Sequence, residues 1–217
     1  MFFVGGRVLS PPVSYEQEEK VEILFQFLTL FGLLLAVCGI TCILNYYMRK
    51  RGFSVNALAN HLIVVLVTVA LYVFGGLSIW TAKGVIMLLV LLYASVQDIS
   101  THEADDSLWV MLLILALVGF GDVGIWSMVM GGLLVFIPQM AIAMFTNGNG
   151  IGGADIKIST AAAVLLGLFG GVLGYVIGLT FAVIFNLIYN KVKKQASNKA
   201  FALLPFISAG LMVGYFI

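Results

Sequence analysis

A stretch of about forty residues between positions 107 and 146 is almost entirely apolar. As one helix it would be about 60 Å long at 1.5 Å per residue, roughly twice the hydrocarbon thickness of a bilayer. It must therefore turn back on itself, and the segment 121–124, with a glycine at each end, supplies a turn near its middle. This stretch predicts a hairpin of two membrane-spanning helices.

The composition excludes a soluble globular fold. Of the 217 residues, 62% are hydrophobic and 10% are charged, whereas an ordinary soluble domain is roughly 25% charged. Apolar side chains on the protein surface are stable in hydrocarbon, so membrane lipids are the expected surroundings. The formal net charge of +1 gives no indication of a nucleic-acid partner.

The apolar runs predict an all-α polytopic membrane protein with about eight transmembrane helices, since roughly twenty apolar residues cross a bilayer. A break at Gly170-Gly171 divides the run from 156 to 189, and Lys83 is placed in the turn between the second and third spans. The predicted spans are about 23–47, 60–80 and 84–97, the two helices of the hairpin, 156–169, 171–190 and 200–217.

The basic residues predict the orientation of these spans, because short cytoplasmic loops are enriched in Lys and Arg. With eight spans, all but three of the eleven basic residues lie on the cytoplasmic side. The three on the opposite side are Arg7, Lys20 and Lys83. A polar tail, residues 1–21, then lies outside the cytoplasm.

Two acids at the cytoplasmic ends of predicted spans are the best candidate reactive groups, because an ionisable side chain at membrane depth is costly and often functional. Asp98 ends the third span, where the helix dipole disfavours an anion. Asp155 opens the sixth span after the glycine-rich segment 147–154, where free backbone N–H groups favour the ionised carboxylate. If helix packing brings the two together, they can share one proton and activate water.

Other kinds of site have weaker support. The glycine-rich segment lacks the Gly-Lys-Ser/Thr end of a phosphate-binding loop and carries Asp155 in its place. His61 and His102 have no third metal ligand in prospect, and Cys38 and Cys42 are interpreted as small apolar helix residues. Neither a metal nor another cofactor is expected.

Three segments, in order along the chain, resemble landmarks of the type IV prepilin peptidases and archaeal preflagellin peptidases. The segment 152–157, GGADIK, is similar to the GxGD-type motif of that family. The segment 98–109, where an aspartate ends a span and a short polar loop follows, resembles the region of the family's first aspartate. The segment 201–210 resembles the Pro-Phe segment that opens its last helix. The resemblance covers about residues 84–217.

This resemblance implies a GxGD-type membrane aspartyl protease with a six-helix catalytic core, residues 83–217, preceded by two transmembrane helices, residues 22–82. Asp98 and Asp155 would lie on the first and fourth core helices and activate the water that attacks the peptide bond. The segment 48–60 contains no cysteine, so the chain resembles the short form without the zinc-binding insert. No metal or other cofactor is implied.

The resemblance also implies a substrate class. The substrates would be prepilin-like precursors (pilins, pseudopilins or archaellins) in which a basic leader precedes a hydrophobic helix. Cleavage would occur at the cytoplasmic face of a prokaryotic plasma membrane. The loop before Trp109 contains Glu103, Asp105 and Asp106 and no basic residue, so it could attract such a leader. A solvated acidic loop is the alternative interpretation.

The residues Gly152, Gly153, Ala154, Lys157 and Pro205 are expected to support the two aspartates. Ala154 replaces a glycine of the strict GxGD pattern, and this change is tolerated if its φ is negative. Lys157 could tune the second aspartate, hold a lipid headgroup or anchor the helix end.

Three other functions are compatible with the sequence. A presenilin-like intramembrane protease also uses a GxGD-type aspartate, but its two aspartates lie on adjacent helices, whereas two spans intervene here. A small ion-coupled transporter could bind a cation at the same acids, although transport sites lie near the membrane midplane. A structural subunit of a secretion or pilus assembly would need neither acid.

Overall fold

The computed structural model describes residues 3–4, 7–8, 13–147, 151–193 and 201–217. The loop residues 148–150 and the basic residues Lys194 and Lys199 lie outside the described residues. Two short antiparallel strands precede a series of helices. The elements are β1 (Phe3–Val4), β2 (Arg7–Val8), α1 (Val13–Lys50), α2 (Ala57–Gly75), α3 (Ile79–Thr101), α4 (Ser107–Leu117), α5 (Phe120–Val123), α6 (Ile125–Phe145), α7 (Gly153–Lys193) and α8 (Leu204–Gly214).

Five helices, α1, α2, α3, α6 and α7, are long and apolar enough to cross a membrane. α4 and α8 are also apolar, with 11 residues each. α7 consists of two helical arms, 153–166 and 168–193, that meet at Gly167. With both arms counted and the one-turn α5 left aside, the described chain contains eight apolar helices, which confirms the predicted all-α polytopic fold.

The break inside α7 lies at Gly167, so its predicted place at Gly170-Gly171 is wrong. Gly167 has φ 76° and ψ −168°, a conformation that glycine adopts without strain. Gly170 and Gly171 are helical and serve close packing instead, since a Cβ on Gly171 would lie 2.8 Å from the Cα of Ala163 on the other arm. Glycine is favoured both at a bend and at a close contact between helices. The sequence alone therefore did not show which of these glycines forms the bend.

The turn of the first predicted hairpin is confirmed. α4 and α6 are joined by the single turn α5, which is flanked by Gly119 and Gly124. Both glycines have positive φ values, 66° and 80°. The two helices therefore reverse direction where the sequence predicted.

Lys83 does not lie in a turn, which corrects another prediction. The chain turns earlier, at Gly76, and α3 begins at Ile79 with Ser78 as its N-cap. Lys83 is buried in α3 and donates from Nζ to the carbonyl oxygen of Val118 at 2.8 Å. Val118 follows the last residue of α4, where carbonyl groups lack helical partners. The ammonium group thus stabilises the end of another helix, which local sequence does not reveal.

α8 packs against both α3 and α7, and α7 also contacts α4 and α6. The contact between α8 and the second arm of α7 depends on glycine, because a Cβ on Gly210 would overlap the backbone of Gly174 and Gly178. α1 contacts mainly α2 and keeps most of its apolar side chains exposed, as expected for a helix that faces lipid.

Replacing Gly210 with alanine is expected to destabilise the protein by about 1–3 kcal/mol, because the new methyl group forces α8 away from α7. Thermal unfolding of the detergent-solubilised protein, followed by far-UV circular dichroism, measures the change. Gly39→Ala is the matched control, since a Cβ at Gly39 meets nothing within 4 Å. Equal midpoints for the two variants would contradict the packing argument.

Candidate active site

Asp98 lies in the last turn of α3, and its side chain is buried with 6% exposure. Its Oδ2 accepts a hydrogen bond from the backbone N–H of Leu204 at 3.0 Å. The backbone N–H of Leu203 also lies close to this carboxylate. Asp98 is therefore joined to the first turn of α8, which follows it by more than a hundred residues.

The first turn of α8 contains backbone N–H groups that require a hydrogen-bond acceptor, and this carboxylate provides one. The N-cap residue, Leu203, has no side-chain acceptor. Phe206 and Ile207 donate their N–H groups to the Leu203 carbonyl oxygen, and Pro205 has no N–H. The N–H groups of Leu203 and Leu204 remain. Asp98 accepts from Leu204 and lies close to the N–H of Leu203. Asp98 thus caps α8 from a different helix.

Asp155 is the third residue of α7 and is partly buried. The backbone N–H of Gly152 lies close to its carboxylate. Its Oδ2 would lie 3.0 Å from a Cβ built on Gly152. The other oxygen, Oδ1, is buried and has no hydrogen-bond partner within the part of the chain that the structure describes.

The two carboxylates come from helices that both pack against α8, and they lie within range of direct electrostatic interaction. The hydrogen bond from α8 favours the ionised form of Asp98, whereas Asp155 Oδ1 has no donor among the described residues and can hold a proton. The order expected from the sequence was the reverse, with Asp155 as the ionised partner. The reason for the difference is that the N–H groups near Asp98 belong to α8 and not to the helix that carries it.

A comparison with protein-family models matches residues 85–190 to the type IV leader peptidase family. This region of the chain belongs to that family. It contains both Asp98 and Asp155 and extends from the second turn of α3 to the end of α7. The match implies peptidase activity for this region, and several helices of the chain are long and apolar enough to cross a membrane. No curated protein and no solved structure gave a significant match.

The leader peptidase region also contains two buried polar residues that sequence reasoning missed. Gln139 on α6 and Ser159 on α7 are both fully buried. Gln139 Nε2 donates to Ser159 Oγ at 2.8 Å, and Ser159 Oγ donates to the carbonyl oxygen of Asp155 at 2.6 Å. These bonds attach the first turn of α7 to α6. A polar amide within an apolar run was the signal that could have revealed Gln139.

Tyr175 is a third residue that the sequence analysis missed. It lies on the second arm of α7, is buried, and is within electrostatic range of Asp155. The bend at Gly167 returns this part of the chain towards the first arm. Only the position of that bend identifies Tyr175 as a neighbour of Asp155.

The loop acids are partly paired with basic residues of the same chain. Asp105 Oδ2 lies 2.7 Å from Arg51 Nη1, and Asp106 Oδ1 lies 2.6 Å from Lys157 Nζ. Lys157 therefore contacts the loop, and Glu103 is exposed with no side-chain partner among the described residues. Ion pairs as exposed as these contribute about 0–1 kcal/mol each, so a charged substrate could replace them.

Arg51 lies just beyond the end of α1 and contacts Tyr93 as well as Asp105. Tyr93 and Tyr47, together with Asp105, raise the pKa of the Arg51 guanidinium, which therefore keeps its charge. The backbone N–H of Asp105 donates to Gln97 Oε1 at 3.0 Å, so the loop is also bonded to the neighbour of Asp98.

The glycine motif opens α7. Ala154 is helical, and its φ is not positive, so the condition for replacing glycine at this position is met. A Cβ on Gly153 would meet nothing within 4 Å, in contrast to one on Gly152. Pro205 lies in the first turn of α8, where it was expected.

Within the described ranges, no group of three or more His, Cys, Asp or Glu side chains is arranged to hold a metal ion. His61 contacts Cys42, with 3.2 Å between Nε2 and Sγ, and His102 follows the last residue of α3.

Asp98→Ala is expected to reduce the free energy of unfolding by about 1–2 kcal/mol, because the first turn of α8 loses the acceptor of its Leu204 N–H. Asp98→Asn should reduce it less, since its amide oxygen can still accept this hydrogen bond. Asp155→Ala is the matched control and should also reduce it less, because Asp155 Oδ1 has no partner among the described residues. Thermal unfolding in detergent measures all three, and an equal loss for the two alanine variants would contradict the capping role.

Proposed function

We propose that this protein is a membrane aspartyl endopeptidase that removes the basic leader of type IV prepilin-like precursors. Asp98 and Asp155 would activate the attacking water, without a metal or other cofactor. The observation that carries this proposal is the unequal hydrogen bonding of two neighbouring carboxylates. One accepts from the first turn of α8, and the other has a buried oxygen without a partner among the described residues.

This inequality suits an acid and base pair. Asp98, in its ionised form, takes a proton from water while the water oxygen attacks the scissile carbonyl carbon. The proton on Asp155 Oδ1 passes to the carbonyl oxygen, which gives a neutral diol. Asp155 then removes a proton from one hydroxyl as the carbonyl re-forms and the C–N bond breaks. The leaving nitrogen takes the proton that Asp98 received, and the original state is restored.

The charges around the site support a precursor with a basic leader. The loop that follows Asp98 contains Glu103, Asp105 and Asp106, and Glu103 is free to meet a lysine or arginine. Asp105 and Asp106 form exposed ion pairs with Arg51 and Lys157. A basic leader could exchange with Arg51 and Lys157 at these acids at small cost.

We propose a prokaryotic plasma membrane from the family resemblance, and the position of the basic residues supports a site at its cytoplasmic face. Arg49, Lys50 and Arg51 stand at the end of α1, and Arg51 contacts the loop beside Asp98. Short loops rich in Lys and Arg remain in the cytoplasm. The leader of a precursor anchored by its hydrophobic helix would meet the two acids on this side.

Asp98→Asn and Asp155→Asn are each expected to reduce leader cleavage by at least about 100-fold, because each removes one partner of the proton transfer. The assay follows the size of a prepilin-like precursor incubated with purified protein in detergent. Asp122→Asn, in the exposed turn α5, is the matched control and should cleave normally. Cleavage by either dyad variant at the native rate would exclude the proposed mechanism. Cation binding that requires both acids, with no cleavage by the native protein, would favour a transporter instead.

Gly152→Ala is expected to slow cleavage by about tenfold or more, because its methyl group would displace the Asp155 carboxylate by a few tenths of an ångström. Gly153→Ala is the matched control, since its methyl group enters open space next to the same motif. Initial cleavage rates at saturating precursor compare the two variants. Similar rates for both would show that the contact between Gly152 and Asp155 has no role in cleavage.

A further inference from the structure

A groove of about 350 Å³ opens between α1, α3 and α4, apart from the two aspartates. α1 contributes Leu44, Tyr47 and Arg51, which share one face of the helix. Its floor is formed by α3 over Ile86 to Tyr93, a length of about 10 Å. The groove adjoins the acidic loop but belongs in part to α1, which lies outside the region matched to the peptidase family.

The groove changes from apolar to polar along its length. Its end away from Arg51 is lined by aliphatic side chains, among them Ile86, Leu89 and Met111. Its mouth, at the end of α1 and the start of α4, is lined by polar groups including Arg51 and Ser107. A molecule that fits it must have an apolar chain and a polar head.

Arg51 gives the mouth a positive charge and free donors. Its Nη1 contacts both Asp105 Oδ2 and the Tyr93 hydroxyl. A guanidinium carries donors on two further nitrogens, which suit the oxygens of a phosphate. Arg49 and Lys50 stand beside it and are exposed, and Asp105 is the only acid that lines the groove in the described residues. Basic residues at this depth attract anionic headgroups.

The lining and charge of the groove favour a lipid. Its aliphatic side chains lead to the guanidinium of Arg51 at the mouth, which matches an acyl chain below an anionic headgroup. A gap open to the bilayer side is filled by lipid.

We propose that this groove binds one anionic phospholipid, with its phosphate on Arg51 and an acyl chain against Leu89 and Met111. The bound lipid would join α1 to α3 and α4 on the side of the molecule where the acidic loop lies. Zwitterionic lipids would occupy the groove less, because their headgroups carry a compensating cation.

Native mass spectrometry of the full chain in detergent tests this proposal, with an equimolar mixture of dioleoylphosphatidylglycerol and dioleoylphosphatidylcholine as probe. The native protein is expected to retain one phosphatidylglycerol in preference to phosphatidylcholine. Arg51→Gln should lower this preference about tenfold, as expected for the loss of hydrogen bonds to a charged group. Arg49→Gln also removes one positive charge, but it leaves the residues that line the groove unchanged. It should change the preference for phosphatidylglycerol by less than about twofold.

Met111→Trp fills the apolar part of the groove and should reduce the retention of both lipids. Ile114→Trp, on an exposed position of the same helix outside the groove, should leave retention unchanged. Unfolding midpoints confirm that each variant is folded, and Met111→Trp decides the question if Arg51→Gln does not fold. Three results would each overturn the proposal. They are equal retention of the two lipids by the native protein, an equal loss of lipid preference in the two arginine variants, and a dimer of the chain that Met111→Trp abolishes.

Discussion

The bond between the Asp98 carboxylate and the first turn of α8 is the interaction on which the site depends. A buried carboxylate is costly without hydrogen-bond donors, and the first turn of a helix carries N–H groups without acceptors. Here the helix end and the carboxylate satisfy each other, because the backbone N–H of Leu204 donates to Asp98 and that of Leu203 lies close to it. The helix that closes the bundle and the acid that it contacts are therefore stabilised together.

Close helix packing determines where this bond can form. α8 approaches the second arm of α7 where Gly174, Gly178 and Gly210 leave room for backbone contact. α6 fixes the first arm through Gln139 and Ser159, whose hydroxyl bonds the Asp155 carbonyl oxygen. Both acids thus stand on packed helices, and rigid helices hold reacting groups better than loops do. This arrangement suits a reaction in which two carboxylates exchange protons with one water.

The two N-terminal helices are linked to the same end of the molecule. Arg51, after α1, pairs with Asp105, and the backbone N–H of Ser54 donates to Ser100 Oγ at 3.1 Å. The loop between α1 and α2 is thereby joined to the end of α3 and to the acidic loop. These contacts give the N-terminal pair a structural connection to the peptidase region, although the family match begins at residue 85.

The sequence by itself determined the membrane class, the eight helices, the hairpin turn at α5 and the two acids at helix ends. These follow from hydropathy, glycine placement and the cost of a charge at membrane depth, all of which are local properties. The tertiary structure decided that Lys83 binds the end of α4, that α7 bends at Gly167, and that Asp105 and Asp106 are paired. It also decided which acid receives the N–H groups of α8. Each of these outcomes depends on a partner distant in sequence, and only helix packing determines which distant residues meet.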